Sequence, residues 1–252
     1  MIQNFLNKVS YGDCLELLPH LPDNSVDITV TSPPYNMDDG KYVGFDDDSK
    51  SEVYQDFIAR VLLQLIRVSK YYVFFNIQIL SGNKLCYLDL LSRFKHDIKE
   101  IIVWHKKQVP PAYNDNCLAS GFELVIVFAK KGLAAHRGFE HCTFQDITKK
   151  YPVRNVIYGD SAGSFAQQNT ADHHATFPLY FAEWFVKNFT NPDEIVLDPF
   201  MGTGTTGLAC KRLGRNFIGF ELVKDYCDYA NSRIAAQPVK LSFFGDTIKY
   251  DM

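Results

Sequence analysis

Short apolar runs recur along the chain, each bounded by turn residues: Val26 to Thr31, Tyr71 to Asn76, Ile101 to His105, Leu124 to Ala129, Glu194 to Leu197 and Asn216 to Phe220. They are rich in β-branched and aromatic residues and nearly continuous, the pattern of strands covered on both faces. Between them, apolar residues return at three- and four-residue steps over Glu52 to Ser69, Pro178 to Phe189, Thr205 to Leu213 and Lys224 to Ala235, which predicts helices. Strands alternating with helices need crossover connections. The expected fold is therefore α/β, a doubly wound, mostly parallel sheet with helices on both faces.

One stretch breaks the alternation. Lys130 to Asn169 has weak periodicity, and its first part, Lys130 to Arg154, holds six Lys/Arg and two His against two acids. The whole chain has the opposite sign: 252 residues carry 26 Lys+Arg and 29 Asp+Glu, a formal net charge of −3. That balance excludes a uniformly cationic nucleic-acid binder and leaves room for one basic segment. A hydrophobic share of 46% with 22% charged residues is globular usage and excludes a disordered chain. The six cysteines show no C-x-x-C spacing, and a chain of this length buries a core without staples, so they are read as reduced thiols. With no signal-like N-terminus and no long apolar run, a cytoplasmic protein is expected.

Two constellations carry chemistry. Thr31-Ser32-Pro33-Pro34-Tyr35-Asn36 directly follows the strand Val26 to Val30. Its two prolines remove two backbone donors and fix φ, so the chain leaves the sheet as a rigid elbow that presents acceptors without competing donors. The Ser32 hydroxyl with the Ser32 and Pro33 carbonyls suits an amine bearing two hydrogens, and Tyr35 supplies a flat face beside it, the needs of an amino group on a planar heterocycle. A proline-terminated strand end with a buried tyrosine is the simpler reading of Pro-Pro alone. The elbow's place at the carboxyl end of a strand, where open α/β sheets bind ligands, favours the functional one.

The second constellation is Asp198-Pro199-Phe200-Met201-Gly202-Thr203-Gly204-Thr205-Thr206-Gly207, a Gly-rich turn between a strand and a helix, with Glu221 at the end of the next strand. Such glycines permit close approach of a ligand, and an acid at that distance takes ribose hydroxyls, so an adenosine-containing cofactor is expected. A dinucleotide needs the helix N-terminus for its pyrophosphate. Asp198 would repel phosphate and attract a cationic amino group or sulfonium, which favours S-adenosylmethionine over NAD.

With these motifs in view, the chain resembles the amino-methylating DNA methyltransferases of bacterial restriction-modification systems in their beta arrangement, where the catalytic S/D-P-P-Y motif precedes a D-P-F-x-G-x-G-T-T cofactor motif. Gly12 to Leu18 with Leu21 to Asp27 matches the stretch before the catalytic strand, and Ala175-Thr176-Phe177-Pro178 the helix before the cofactor strand. The resemblance implies the S-adenosylmethionine-dependent methyltransferase fold in circularly permuted order. Residues 1–129 would be the catalytic part, 130–169 a short target-recognition region and 170–252 the cofactor-binding part. It implies Ser32, Pro33, Pro34 and Tyr35 as the catalytic set. Asp13 would hold the cofactor's adenine amine, Glu221 its ribose, and Leu222 would lie against the adenine. Asp198, Phe200, Gly202, Gly204, Thr205 and Thr206 would surround the methionine part, with Cys14, Thr31 and Phe177 beside the cofactor. His173 matches a family histidine, while His174 stands where the family usually has proline.

The implied reaction transfers a methyl group to an exocyclic amine of a base flipped out of double-stranded DNA and stacked on Tyr35. The serine of Ser-Pro-Pro-Tyr leans toward cytosine N4, with adenine N6 the alternative. Phosphate contacts are expected from Lys130, Lys131, Arg137, Lys149, Lys150 and Arg154. A homodimer and a cognate restriction endonuclease are the partners such a system implies. Trp104 and Lys106 either border the base pocket or pack at a strand end. His136, His141 and Cys142 lack a fourth ligand for zinc and fit a basic loop. The loop Met37 to Lys50, with Asp46 to Asp48, lies where a lid would sit. A nicotinamide oxidoreductase would leave the elbow idle, and a non-catalytic DNA-binding module would leave the cofactor pocket idle.

Overall fold

The computed structural model describes residues 2–35, 51–80, 83–107, 116, 118–143, 153–159 and 177–237. Its centre is an eight-stranded sheet formed by β1 (Lys8–Tyr11), β2 (Val26–Thr31), β3 (Ser69–Ile77), β4 (Ile98–Lys106), β5 (Phe122–Ala129), β6 (Val156–Gly159), β7 (Ile195–Asp198) and β8 (Asn216–Glu221). The order across the sheet is β1-β8-β7-β2-β3-β5-β4-β6. Neighbours are parallel except where β5 runs against β3 and β4. The reversal brings the start of β5 to the edge where its neighbours end: Leu124 pairs with Ile77, Glu123 with Trp104 and Phe122 with His105.

The continuous apolar runs are explained by burial on both faces. In β3, Tyr72 and Phe74 point into one cluster, while Val73, Phe75 and Ile77 point into the other. The first cluster is covered by α5 (Leu179–Phe189), α6 (Thr205–Leu213) and α7 (Lys224–Ala236), and the second mainly by α2 (Ser51–Val68) and α3 (Lys84–Arg93). Along α2, Tyr54, Ile58, Val61, Leu65 and Val68 fall on one stripe, and each is 0% exposed. Each such burial contributes about 1.5–3 kcal/mol. On the other side the Phe74 ring lies 4.7 Å from Phe185 and 4.5 Å from Phe189.

Several elements go beyond the periodic signal. β1 and β6 are short edge strands, with Val9 and Ile157 as their buried residues. Of α3 only Cys86, Tyr87 and Leu90 are buried, too few for a clear stripe. Short helices α1 (Cys14–Leu17) and α4 (Lys131–Ala135) and two 3-10 turns, Ile2–Asn4 and Leu18–His20, complete the described fold. Leu133 and Ala134 of α4, with Phe139 and Cys142 after it, pack against the first cluster, so the start of the basic segment is part of the sheet's packing. No described helix is long and apolar enough to cross a membrane.

Candidate active site

β2 leaves the sheet after Thr31, and Pro33 and Pro34 end its ladder because neither has an amide hydrogen. Donors behind the elbow set its course: Tyr54 Oη reaches the Pro34 carbonyl at 2.6 Å and Asn83 Nδ2 the Tyr35 carbonyl at 3.0 Å. Pro33, Pro34 and Tyr35 are buried, whereas Ser32 is partly exposed.

The Tyr35 hydroxyl turns inward, 2.9 Å from Ser32 Oγ, 2.8 Å from Asn76 Nδ2 and 3.1 Å from Glu123 Oε2. Asn76 Nδ2 also donates to Glu123 Oε2 at 2.7 Å, and Lys106 Nζ pairs with Glu123 Oε1 at 2.5 Å. A carboxylate only accepts and an amide nitrogen only donates. The single Tyr35 proton therefore goes to Glu123, and Tyr35 Oη receives the proton of Ser32. Ser32 is left with lone pairs and no free proton, an acceptor at the mouth of the elbow. Tyr35 is only 8% exposed, so most of its surface is taken up by packing and by this hydroxyl role, and little of it is free as the stacking face expected from the sequence.

Neither Asn76 nor Glu123 was among the residues singled out from the sequence. The available signal was a lone acid at the head of the apolar run Glu123 to Ala129, which ends up 6% exposed. A buried charge of that kind demands partners. Trp104 is buried, donates from Nε1 to Tyr180 Oη at 2.8 Å and lies 4.7 Å from the Phe181 ring. It packs on α5, the simpler of its two readings, whereas Lys106 belongs to the site.

The cofactor turn adjoins the elbow through Asp198. Its Oδ1 accepts from Thr31 Oγ1 at 2.6 Å and from the Phe200 amide at 3.1 Å, and its Oδ2 from Thr206 Oγ1 at 2.6 Å. Burial, with a smaller contribution from nearby Glu221, pushes its carboxyl up to about 6 against the pull of these bonds. At 1% exposure, Asp198 is the tie between elbow, turn and helix α6. Both its oxygens are engaged by protein donors, so its burial leaves little surface for the direct contact with a cationic group expected from the sequence.

Glu221 is placed differently. Its Oε2 accepts the Gly202 amide at 2.7 Å and its Oε1 the Val223 amide at 2.8 Å, and burial raises its pKa. The Leu222 amide also bonds this carboxylate, and with about four acceptor positions on its two oxygens it still has room for a hydroxyl. Gly202 and Gly204 have φ of 52° and 88°, the left-handed region that favours glycine. A Cβ on Gly204 would lie 3.0 Å from Ala230 Cβ, and one on Gly207 2.6 Å from Ile234 Cδ1. These two glycines thus serve the packing of α6 on α7, while Gly202 faces Glu221.

Asp13 caps α1, accepting the Leu15 amide at 2.8 Å, and the Gly12 amide donates to the Glu221 carbonyl at 2.9 Å. Asp13, buried Cys14, Glu221 and the 43% exposed Leu222 meet where β1 and β8 end. Burial pushes the Cys14 thiol far up, which excludes a thiolate role. Phe200 packs on Phe57 at 6.2 Å, and Phe177 on Phe181 at 5.2 Å. Thr205 Oγ1 lies 3.4 Å from Arg233 Nη1.

The basic segment falls elsewhere. Ala129 pairs with Tyr72 near the start of β3, so Lys130 and α4 lie at the edge opposite Ser32. Lys130 Nζ donates to Asn24 Oδ1, to the Ser69 carbonyl at 2.9 Å and to the Arg67 carbonyl at 3.3 Å, and its burial lowers its pKa. It is a structural clamp, and the expectation of a phosphate contact is corrected for that reason. Lys131 and Arg137 are exposed at the same remote edge. Arg154 precedes β6 on the side away from the catalytic edge, since it is Gly159 that pairs with Lys106. Lys149, Lys150, Asn36, His173, His174 and the loop Met37 to Lys50 lie outside the described residues. His141 Nε2 meets Glu194 Oε2 at 2.8 Å and its ring stacks on Tyr71 at 3.8 Å.

An acceptor elbow on β2 beside a Gly-rich turn after β7 and a carboxylate ending β8 defines an α/β methyltransferase with its catalytic strand ahead of its cofactor strand. A family model for DNA methylases of the N6/N4 type matches residues 26–232, and the chain belongs to that family. It is 28% identical over 263 residues to the type II methyltransferase M.BglII of Bacillus subtilis, covering 92% of this chain and 70% of that protein. Among solved structures it resembles the PvuII DNA methyltransferase (cytosine-N4-specific) with a TM-score of 0.71 at 22% identity, over 93% of this chain and 89% of that one. It also resembles the M1.HpyAVI-SAM complex with a TM-score of 0.59 at 26% identity, over 90% of this chain and 98% of that one. The chain is thus a DNA amino-methyltransferase of restriction-modification type.

Proposed function

We propose that this enzyme transfers a methyl group from S-adenosylmethionine to the exocyclic N4 amine of a cytosine flipped out of duplex DNA. The observation that carries the reading is the forced direction of the Ser32 hydroxyl, which spends its proton on Tyr35 and meets an amine as an acceptor. The cofactor fits the residues present. Glu221 has accepting capacity for ribose hydroxyls, Leu222 offers an exposed apolar surface for adenine, the Asp13 carboxylate at the end of β1 suits the adenine amine, and Gly202 brings backbone close. Bound there, it supplies an electrophilic methyl group.

An aromatic amine is a weak nucleophile because its lone pair is delocalised into the ring. Acceptors at Ser32 and Pro33 favour the pyramidal form in which that pair is localised, and they act without reorganising. The elbow holds the amine in line for attack, so alignment supplies much of the rate. Serine in place of the aspartate more usual in adenine-N6 enzymes leans the target to cytosine. Incubation of the enzyme with labelled methyl donor and unmethylated DNA, followed by nucleoside mass spectrometry, tests the reading. N4-methylcytosine is expected, and N6-methyladenine as the sole product overturns the choice of base.

A further inference from the structure

The polar network under the elbow holds more than Ser32 needs in order to accept an amine. Glu123 comes from the start of β5, Asn76 from the end of β3 and Lys106 from the end of β4, three strands converging beneath Tyr35. The carboxylate is 6% exposed and engaged at both oxygens, by Lys106 on Oε1 and by Asn76 and Tyr35 on Oε2. Asn76 Oδ1, also buried, has no hydrogen-bond partner among the described residues. The amide is therefore held by what its nitrogen donates. It sends one hydrogen to Tyr35 Oη and one to Glu123 Oε2, and so fixes which way the Tyr35 proton points. A carboxylate placed only to brace β5 would need Lys106, and it would need neither a phenol nor a phenol whose oxygen is loaded from two sides.

From this geometry we infer that Glu123 is the terminal acceptor of a proton relay that runs from the target amine through Ser32 Oγ and Tyr35 Oη to Glu123 Oε2. The inference rests on the proposed transfer to an exocyclic amine. As the nitrogen lone pair forms the N–CH3 bond, the S–CH3 electron pair stays with the sulfur, and the nitrogen becomes cationic with a proton to lose. That proton passes to Ser32 Oγ while the Ser32 proton moves to Tyr35 Oη and the Tyr35 proton to Glu123 Oε2. Both hydroxyls are regenerated and Glu123 ends neutral beside the Lys106 ammonium, returning its proton to solvent before the next turnover. Ser32 alone is too weak a base for this task. An amine cation that regains conjugation with its ring on deprotonation is a strong acid, so an ion-paired carboxylate is base enough. In the ground state, charge on Glu123 polarises both hydroxyls toward itself and makes Ser32 a better acceptor. Glu123 and Asn76 do not reach the substrate. They are positioning residues that act through Tyr35.

The test uses the full chain with S-adenosylmethionine and unmethylated bacteriophage DNA, comparing wild type with Glu123→Gln, Tyr35→Phe and the double variant. Tyr35→Phe keeps the ring for stacking and removes one oxygen, so it carries the test alone should Glu123→Gln fail to fold. Each single variant should lower kcat about 100-fold, while the DNA KM and the calorimetric cofactor Kd stay within about threefold of wild type. The double variant should be no slower than the slower single one, because both cut the same chain. In 13C-carboxyl NMR of the free enzyme, the Glu123 signal, identified by its loss in Glu123→Gln, should be that of a carboxylate at neutral pH. A wild-type kcat in either variant, a loss confined to KM or Kd, losses that multiply in the double variant, or a protonated Glu123 overturns the relay. A wild type that methylates no base amine overturns the parent reading, whereas active variants beside an active wild type overturn the relay alone.

Discussion

At the edge where β2, β3, β7 and β8 end, buried polar groups hold one another and still have bonding capacity left over; at the opposite edge the charged groups are taken up by the fold, although the buried Ser25 hydroxyl has no partner among the described residues. On the closed side Lys130 is spent on Asn24 and two carbonyls, and Thr29 Oγ1 meets Ser69 Oγ at 2.9 Å. Arg215 Nη2 caps the Thr190 carbonyl at 2.7 Å, and its Nε donates to Thr190 Oγ1 at 3.0 Å. On the open side Ser32 keeps its lone pairs, the Glu221 carboxylate has accepting capacity beyond its amide donors, and Leu222 is exposed. Both edges contain lysine, carboxylate and hydroxyl groups, so residue type does not separate them. What separates the charged groups is how far the fold itself completes their hydrogen bonding. Partial completion survives where a ligand finishes it.

The contrast can be broken most strongly at Asp198, a wholly internal carboxylate on the open side. Asp198→Ala leaves two hydroxyls and one amide without their acceptor, and should destabilise the protein by on the order of 3 kcal/mol, read by chemical denaturation. Asp198→Asn keeps the shape and tests the charge. Because the folded carboxyl titrates at about 6, above its unfolded value, its contribution to stability is present below the unfolded pKa and is lost as pH rises through about 6. Wild-type stability should therefore carry a downward component over that window which Asp198→Asn lacks. A parallel pH profile in the two proteins would contradict burial as the cause of the shift.

Next in size is Tyr35→Ala, which should impair capture of a flipped base more than cofactor affinity. Calorimetry with cofactor and fluorescence of a base analogue in the DNA separate the two, and equal losses would remove the stacking role. On the closed side, Lys130→Met should cost about 1–2 kcal/mol of stability through its lost hydrogen bonds, and leave the salt dependence of DNA binding as it was. The smallest effect distinguishes the edges by charge alone. Lys131→Ala with Arg137→Ala, at the remote edge, should leave the slope of log K against log salt unchanged. Lys107→Ala, exposed beside Gly159 near the catalytic edge, should flatten that slope by about 0.9. The reverse ranking would return DNA to the basic segment.

The legibility of the fold followed burial. β2 and α6 have the bounds their patterns predict, Val26–Thr31 and Thr205–Leu213, because continuous apolar runs and a Gly-bounded helix are local signals. β1 and β6 escaped because each is four residues long and lies at an edge. In the site, Ser32, Asp198 and Glu221 could be picked out because each lies at the end of a strand pattern with its motif around it. Asn76 and Glu123 carry no motif. They are neighbours of Tyr35 only through the antiparallel pairing of β3 with β5, a relation between segments far apart in sequence.

The chain's order of residues by itself determined the alternation of strands and helices, the elbow without donors and the turn that needs glycine, since each follows from side-chain periodicity or from the backbone chemistry of proline and glycine. The tertiary structure alone decided which charges are spent and which remain available. Lys130 and Lys106 look alike in sequence, yet the direction of one strand puts the first under three acceptors at the closed edge and the second against Glu123 beneath the elbow. The physical reason is that a hydrogen bond depends on where its partner stands in space, and the reversal of β5 is what set those places.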